Sequence, residues 1–239
     1  MKNQIFILLL AFCIPVFSQS IQLHYDFRHS IDPDFNTKNY PTIFFEYFNS
    51  KDYGSFLAKI QSDFIGEKNN VGKFFIQVSQ SLRFWKPKVF VNIEYSGGLG
   101  IVEPEKYGYY ISNAFSLGAA YQFNWDITLL NITANYTYNA LNLPSHDFLG
   151  SLYWWTGFWN YKFEFSGDVQ VWTQNKNRGD DYTKDLSGKR FSFFGEPQLW
   201  FNLNNSFSIG TKTNIYYHVL TNEDIFQIYP TLAVKYKLK

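Results

Sequence analysis

The stretch YKFEFSGDVQVWTQ, residues 161–174, alternates between two kinds of side chain. Successive side chains of a β-strand point to opposite faces, so Phe163, Phe165 and Val169 share one face of this segment. Glu164 and Asp168 share the other face. A dry sheet core would bury these carboxylates without partners, which costs several kcal/mol for each group. The pattern therefore predicts a strand with one apolar face and one face that meets water.

The same two-sided pattern recurs along the chain, and no segment has the 3.6-residue period of a helix. Further examples are SFLAKIQSDF (55–64), VFVNIEYS (89–96), YISNAFSLGAAYQF (110–123), ITLLNITANYTYN (127–139) and FSIGTKTNIYYHV (207–219). Counting such runs predicts about twelve strands, many of them close to the roughly ten residues that cross a bilayer at a tilt. The predicted strands are 21–30, 40–49, 54–65, 72–84, 88–97, 109–124, 126–139, 146–158, 160–174, 189–203, 205–220 and 225–239.

Composition agrees with long strands rather than with a compact soluble core. Phe, Tyr and Trp make up 21% of the 239 residues, and aromatic side chains suit a pleated surface. The formal net charge of +1 gives no long-range field, so a nucleic acid polymer is not expected as a partner.

The N-terminus reads as an export signal. Lys2 precedes the apolar run IFILLLAFCIPVF, and Ser18 offers a small residue at a cleavage point. We therefore expect a signal peptide over 1–18 and a single mature domain over 19–239. Cys13 is the only cysteine, so the mature chain would hold no disulfide. Lipidation of Cys13 is disfavoured because bulky Phe12 precedes it.

The predicted connections alternate between short turns and longer polar loops. Turns after even-numbered strands are short, and Trp85, Trp125 and Trp159 all fall at that end. Outer-membrane barrels have short periplasmic turns, long outer loops and an aromatic girdle at the membrane interface. The sequence thus predicts an all-β fold, a closed, up-and-down, antiparallel transmembrane β-barrel. The alternative is a soluble β-sandwich or lipocalin-like fold, whose compact core would hardly hold so many rings.

If the apolar faces meet lipid, the polar faces line the lumen. Counting from the short-turn end places six charged residues at similar heights, which predicts a mixed-charge belt: Asp26, Lys59, Glu94, Asp168, Glu196 and Lys212. Charged rings set selectivity in pores, whereas acids and bases that pair across the lumen would only brace the barrel. Our candidate lumen contacts are Glu46, Arg83, Glu94, Glu164, Asp168, Trp172, Glu196, Lys212 and Tyr216.

Aromatic side chains share the predicted inward face. A flat base can stack on such rings, at a gain of about 1 to 3 kcal/mol per base, although rings can also simply plug a small barrel. The inward rings include Phe44, Phe75, Phe90, Tyr153, Trp155, Trp172, Trp200 and Tyr216.

Catalytic and metal chemistry are not indicated. The four histidines do not share an outward face with a serine nucleophile on a neighbouring strand, and no metal-ligand spacing is recognisable. We expect no enzyme activity and no cofactor. Gly97, Gly98 and Gly100 are not followed by a helix that would make a phosphate site, so they are interpreted as the flexible start of an outer loop.

Several stretches carry a resemblance to a known family. They are IQLHYDF (21–27), LRFW (82–85), NIEYSGGLG (92–100), ISNAFSLGAAY (111–121), FSGDVQVW (165–172), GEPQLWFNL (195–203) and IYPTLAVKY (228–236). In order and spacing they resemble an uncharacterised group of Gram-negative outer-membrane proteins placed with the nucleoside-specific, Tsx-like channels. The resemblance implies a monomeric barrel of twelve strands with a narrow lumen that passes nucleosides or similar small solutes. The assembly machinery of the outer membrane reads the C-terminal residue of such barrels. Such chains usually end on an aromatic residue, whereas this one ends at Lys239.

The sequence therefore predicts a passive, substrate-selective channel in the outer membrane of a Gram-negative bacterium. Its expected partners are membrane lipid, the assembly machinery and a small solute, with nucleosides favoured by the resemblance. The alternative is a non-conducting structural barrel, or one that binds through its loops QNKNRGDDYTKDLSGK (174–189) and GGLGIVEPEKYG (97–108).

Overall fold

The computed structural model describes residues 19–102, 107–181 and 183–238, so the predicted signal peptide 1–18 lies outside the described residues. These residues form one antiparallel sheet of thirteen strands and one helical turn, α1 (Arg28–Ile31). The strands are β1 (Gln19–Asp26), β2 (Tyr40–Lys51), β3 (Gly54–Asp63), β4 (Lys73–Leu82), β5 (Val89–Val102), β6 (Tyr107–Trp125), β7 (Thr128–Asn139), β8 (Ser145–Phe158), β9 (Phe163–Asn175), β10 (Lys189–Gly195), β11 (Gln198–Asn202), β12 (Phe207–Tyr217) and β13 (Phe226–Leu238).

The sheet closes on itself because β1 pairs with β13 as well as with β2. The short strands β10 and β11 both lie between β9 and β12, and the register is the same on either side of the break. Pro197 sits at the break, where its missing N–H interrupts the ladder. The two pieces therefore act as one strand, and the predicted closed barrel of twelve strands is confirmed.

Side chains alternate around the barrel as the sequence predicts. On β7, Ile132 on the outer face is 45% exposed, whereas Asn135 on the inner face is 2% exposed. The outer wall carries most of the exposed large apolar side chains, and the interior holds most of the buried polar ones. This arrangement is the reverse of a soluble protein and suits a barrel surrounded by lipid.

The connections also follow the predicted alternation. Short turns join β2 to β3, β4 to β5, β6 to β7, β8 to β9 and β11 to β12. Trp85, Trp125 and Trp159 lie in or beside these turns, and all three are exposed. Within the described part of the chain, no helix is long or apolar enough to span a bilayer.

The structure differs from the sequence prediction at two places near the opposite, long-loop end. The first predicted strand, 21–30, stops at Asp26, because α1 turns the chain back toward the lumen. The second place is Gly97, Gly98 and Gly100, which lie inside β5 rather than in a loop. Tyrosine rings occupy the space where side chains at Gly97 and Gly100 would project, so glycine lets these rings pack against β5. The pairing of β5 with β6 shifts register between Gly98 and Leu99. Residues 103–106 of the predicted loop lie outside the described residues.

Candidate functional site

A charged belt crosses the middle of the barrel. Lys59 on β3 contacts both Asp168 on β9 and Glu196 between β10 and β11. Glu196 also accepts a hydrogen bond from Lys212 on β12, with Nζ and Oε2 3.1 Å apart. Lys59 is 3% exposed and Lys212 is 1% exposed. The structure thus brings together four of the six side chains predicted for the belt.

Two further carboxylates lie in the same layer without a direct lysine partner among the described residues. Glu94 accepts a hydrogen bond from Gln77 Nε2 at 2.9 Å. Glu46 accepts longer hydrogen bonds, from the Tyr153 hydroxyl at 3.4 Å and from Gln198 Nε2 at 3.3 Å. The layer therefore contains more carboxylates than ammonium groups.

Glu164 belongs to a separate cluster nearer the short turns. Its Oε2 lies 2.8 Å from Lys235 Nζ, and Lys237 contacts its other oxygen. Lys235 also lies over the ring of Trp200, 4.5 Å from the centroid. Glu164, a predicted lumen contact, therefore links β9 to β13 near the short turns and does not contact the belt.

Asp26 and Arg83 do not join the belt. Asp26 forms a 2.8 Å ion pair with Arg28, which α1 folds back into the lumen. Arg83 follows β4 in a short turn, where its guanidinium donates to the backbone oxygen of Asp52 at 2.6 Å and to that of Lys86 at 3.1 Å. The alternation of inward and outward side chains holds only along a continuous strand. The contacts of Asp26 and Arg83 depend on where β1 and β4 end, so this alternation does not predict them.

A cavity of about 460 Å³ lies between the belt and the long loops. Lys59, Glu196 and Phe44 contribute to its floor, and Leu141, Arg178 and Leu220 reach it from the loop end. Aromatic side chains form much of its wall: Phe75, Tyr109, Trp172, Phe194 and Tyr216. Three predicted contacts, Trp172, Glu196 and Tyr216, therefore line a space large enough for a small solute.

The lumen is filled between the belt and the short turns. Trp200 is 0% exposed, and the rings of Phe48 and Tyr153 stack with centroids 4.5 Å apart. Gln22 and Ser208 are buried in the same region. The inward rings thus fill the lumen as a plug between the belt and the short turns, and they line the cavity between the belt and the long loops.

Sequence reasoning missed the cationic groups at the top of the cavity. Arg28 lies among three tyrosine rings, 5.0 Å from the centroids of Tyr40 and Tyr229 and 5.8 Å from that of Tyr216. Arg178 comes from the loop between β9 and β10, which folds onto the loop after β7. Burial lowers the pKa of Arg178, and the nearby carboxylate of Asp180 partly opposes this shift. The pattern RGDD (178–181) marked the segment only as a polar loop.

The amino-acid sequence of the chain matches a known protein family. Residues 18–238 match the profile of a family described as a domain of unknown function, DUF5020. The chain belongs to this family. No curated protein matches the chain. The match covers nearly all of the described barrel, so the belt and the cavity both lie within the DUF5020 domain.

Solved structures supply a comparison of the fold. The NanC porin superimposes with a TM-score of 0.53 at 10% identity, covering 92% of this chain and 100% of that one. The KdgM porin gives 0.48 at 8% identity, covering 92% and 99%. LpxR from Salmonella typhimurium gives 0.44 at 8% identity, with the same coverage. The likeness to NanC extends over both chains and shows a shared barrel fold.

Proposed function

We propose that this protein is an outer-membrane channel for small solutes and that the state described here is closed at the belt. An apolar outer wall, an aromatic girdle at the short turns and a polar interior favour the outer membrane of a Gram-negative bacterium. Lipid and the assembly machinery are its expected partners there. We propose no catalytic role.

The observation that carries this proposal is the position of the cavity. Its volume of about 460 Å³ lies in the usual range for small-molecule sites, about 300 to 1,000 Å³. It ends on Lys59 and Glu196, where mixed charges would select among solutes. NanC is named a porin, which also favours a channel.

Nucleosides are the proposed solutes. Trp172, Phe194 and Tyr216 offer faces on which a base can stack, and Asn139 and Gln170 offer hydrogen bonds to a ribose. Such contacts are individually weak, which suits a site that must also release its solute.

Conductance in planar bilayers tests the proposal. We expect brief openings of the wild-type protein and a larger current after Trp200→Ala, which removes the largest buried ring of the plug. Trp125→Ala removes the same side chain from the outer girdle and should leave the current unchanged. Adenosine should block the current, whereas neutral sugars should not.

A closed barrel that only binds its ligand is the second candidate, and the packing around Trp200 favours it. That function predicts no current from the wild-type protein even when Trp200→Ala conducts. Absence of current from both proteins would show that the lumen is not a path for solutes.

A further inference from the structure

Two arginines share one neutral acceptor at the top of the cavity. Gln174 on β9 and Arg190 on β10 are directly opposite each other in the sheet. With its amide oxygen turned toward the arginines, Gln174 accepts from Arg190 Nε and Nη2, each at 2.6 Å, and from Arg178 Nη2 at 3.1 Å. The other end of the amide then lies 3.3 Å from Trp172 Nε1, which is also a donor. Three donor side chains therefore surround this amide, and its single oxygen serves only the two arginines, so the Trp172 N–H faces the amide nitrogen.

Among the described residues, no carboxylate lies at ion-pair distance from the two guanidinium groups of this cluster, although Asp180 is near enough to oppose the effect of burial on the pKa of Arg178. Lys59, Lys212, Lys235 and Arg28 each lie within 4.0 Å of a carboxylate, whereas no such ion pair is present for Arg178 or Arg190 in the described part of the chain. The remaining partner of Arg190 is the side-chain oxygen of Asn222, which is neutral.

Two acid groups near the cluster, Asp180 and Asp147, bind other residues. Asp180 is the carboxylate closest in sequence to Arg178, and its Oδ1 accepts from the Thr183 backbone N–H at 2.9 Å and from the Thr183 hydroxyl at 2.8 Å. Asp147 on β8 lies 2.6 Å from Lys189 Nζ. Two half-buried guanidinium groups side by side, with surplus N–H donors, are the arrangement that binds an anionic oxygen group.

We infer that Arg178, Arg190 and Trp172 form a binding site for the carboxylate or phosphate group of a small solute. Arg178 and Trp172 line the cavity, so an anionic group held there would leave the rest of the solute against the rings below. The excess of carboxylates in the belt would keep the anionic end at the top of the cavity. This inference rests on the proposed function in one respect, that solutes enter the cavity from the loop end.

Matched pairs of solutes test the site in the purified, detergent-solubilised barrel. AMP and adenosine differ only in the phosphate, and glucuronate and glucose differ in the carboxylate. We expect calorimetry to show at least one charged compound binding about tenfold more tightly than its neutral partner, as one charge-assisted hydrogen bond would give. The charged compound that binds identifies the preferred anionic group.

Variants separate the site from general electrostatic attraction. Arg178→Gln with Arg190→Gln should abolish the preference for the charged compound, whereas Lys184→Gln, an exposed charge of the same loop, should preserve it. Trp172→Phe keeps an aromatic face and removes the indole N–H, so it should weaken binding of the charged compound more than binding of its neutral partner. Heat-modifiable migration on gels establishes that each variant is folded.

Equal binding of charged and neutral partners, or equal losses in the Lys184 and the double-arginine variants, would overturn the inference. No binding of either charged compound would also overturn it. Because binding is measured without conduction, a positive result with no bilayer current would refute the channel and leave the anion site standing.

Discussion

Lys59 and Asp168 form an ion pair across the full width of the barrel. Lys59 lies on β3 and Asp168 on β9, and the two strands are six positions apart in either direction around the closed sheet. A lysine and an aspartate side chain can meet this way only across a narrow lumen. The belt is therefore a bridge between opposite walls, and it separates the cavity above from the packed rings below.

Removal of Lys59 should destabilise the barrel strongly. Lys59→Ala leaves Asp168 without its ion-pair partner and Glu196 with Lys212 alone, and breaking a buried ion pair on one side costs about 3 to 5 kcal/mol. Reversible urea unfolding in lipid vesicles measures this loss in the free energy of unfolding. Lys184→Ala breaks an exposed pair, in which the Lys184 side chain is 61% exposed, and should change stability by less than about 1 kcal/mol. Equal losses in the two variants would show that the belt pair is not a structural bridge.

A charge on the outer wall should be costly only at mid-membrane depth. Leu232 lies in the middle of β13 and is 65% exposed, so Leu232→Arg should reduce the free energy of unfolding by about 2 to 4 kcal/mol. Leu203 lies in the short turn after β11, near the interface, where arginine costs about 0 to 1 kcal/mol. The same unfolding assay compares the two variants. A harmless arginine at Leu232 would mean that this wall does not face lipid.

Gly167 should be intolerant of alanine. Its φ of +153° is rare for a residue with a side chain, and a Cβ atom there would approach Glu196 O to 2.6 Å. We expect Gly167→Ala to destabilise the barrel by about 1 to 3 kcal/mol, because strain of this kind is a known cost. Gly108→Ala is the matched control, since a Cβ atom at Gly108 has its nearest neighbour 3.9 Å away. Indistinguishable melting of the two variants would contradict this account of the β9–β11 junction.

Much of this fold was predictable from the alternation of residues. The pattern around Glu164 and Asp168 predicted their inward orientation correctly. Side chains of a strand alternate with a period of two, and charged side chains are costly on the face that meets lipid. The positions of Lys59, Glu196 and Lys212 near one another also followed from counting residues along each strand. These inferences need only local sequence and the requirement that the sheet closes.

The remaining features depend on contacts that local sequence does not specify. Asp26 was expected in the belt, but its partner Arg28 comes from a helical turn that interrupts the pattern. The glycines of β5 were interpreted as a loop. The ring that covers Gly100 belongs to Tyr109 on the neighbouring strand, and local sequence does not show this contact. The arginine pair is equally non-local, since Arg178 and Arg190 meet only when the loop between them folds over the barrel.

The central claim is that the cavity opens to the outside and is closed below by the belt and its plug. Cys13 is the only cysteine of the chain, so single cysteines can be introduced one at a time in the barrel. Ser112 lines the cavity, whereas Ser208 is buried below the belt. A water-soluble maleimide added outside intact cells should label the Ser112→Cys variant rapidly and the Ser208→Cys variant hardly at all, while both react fully after unfolding. Equal labelling rates in the folded proteins would contradict the account.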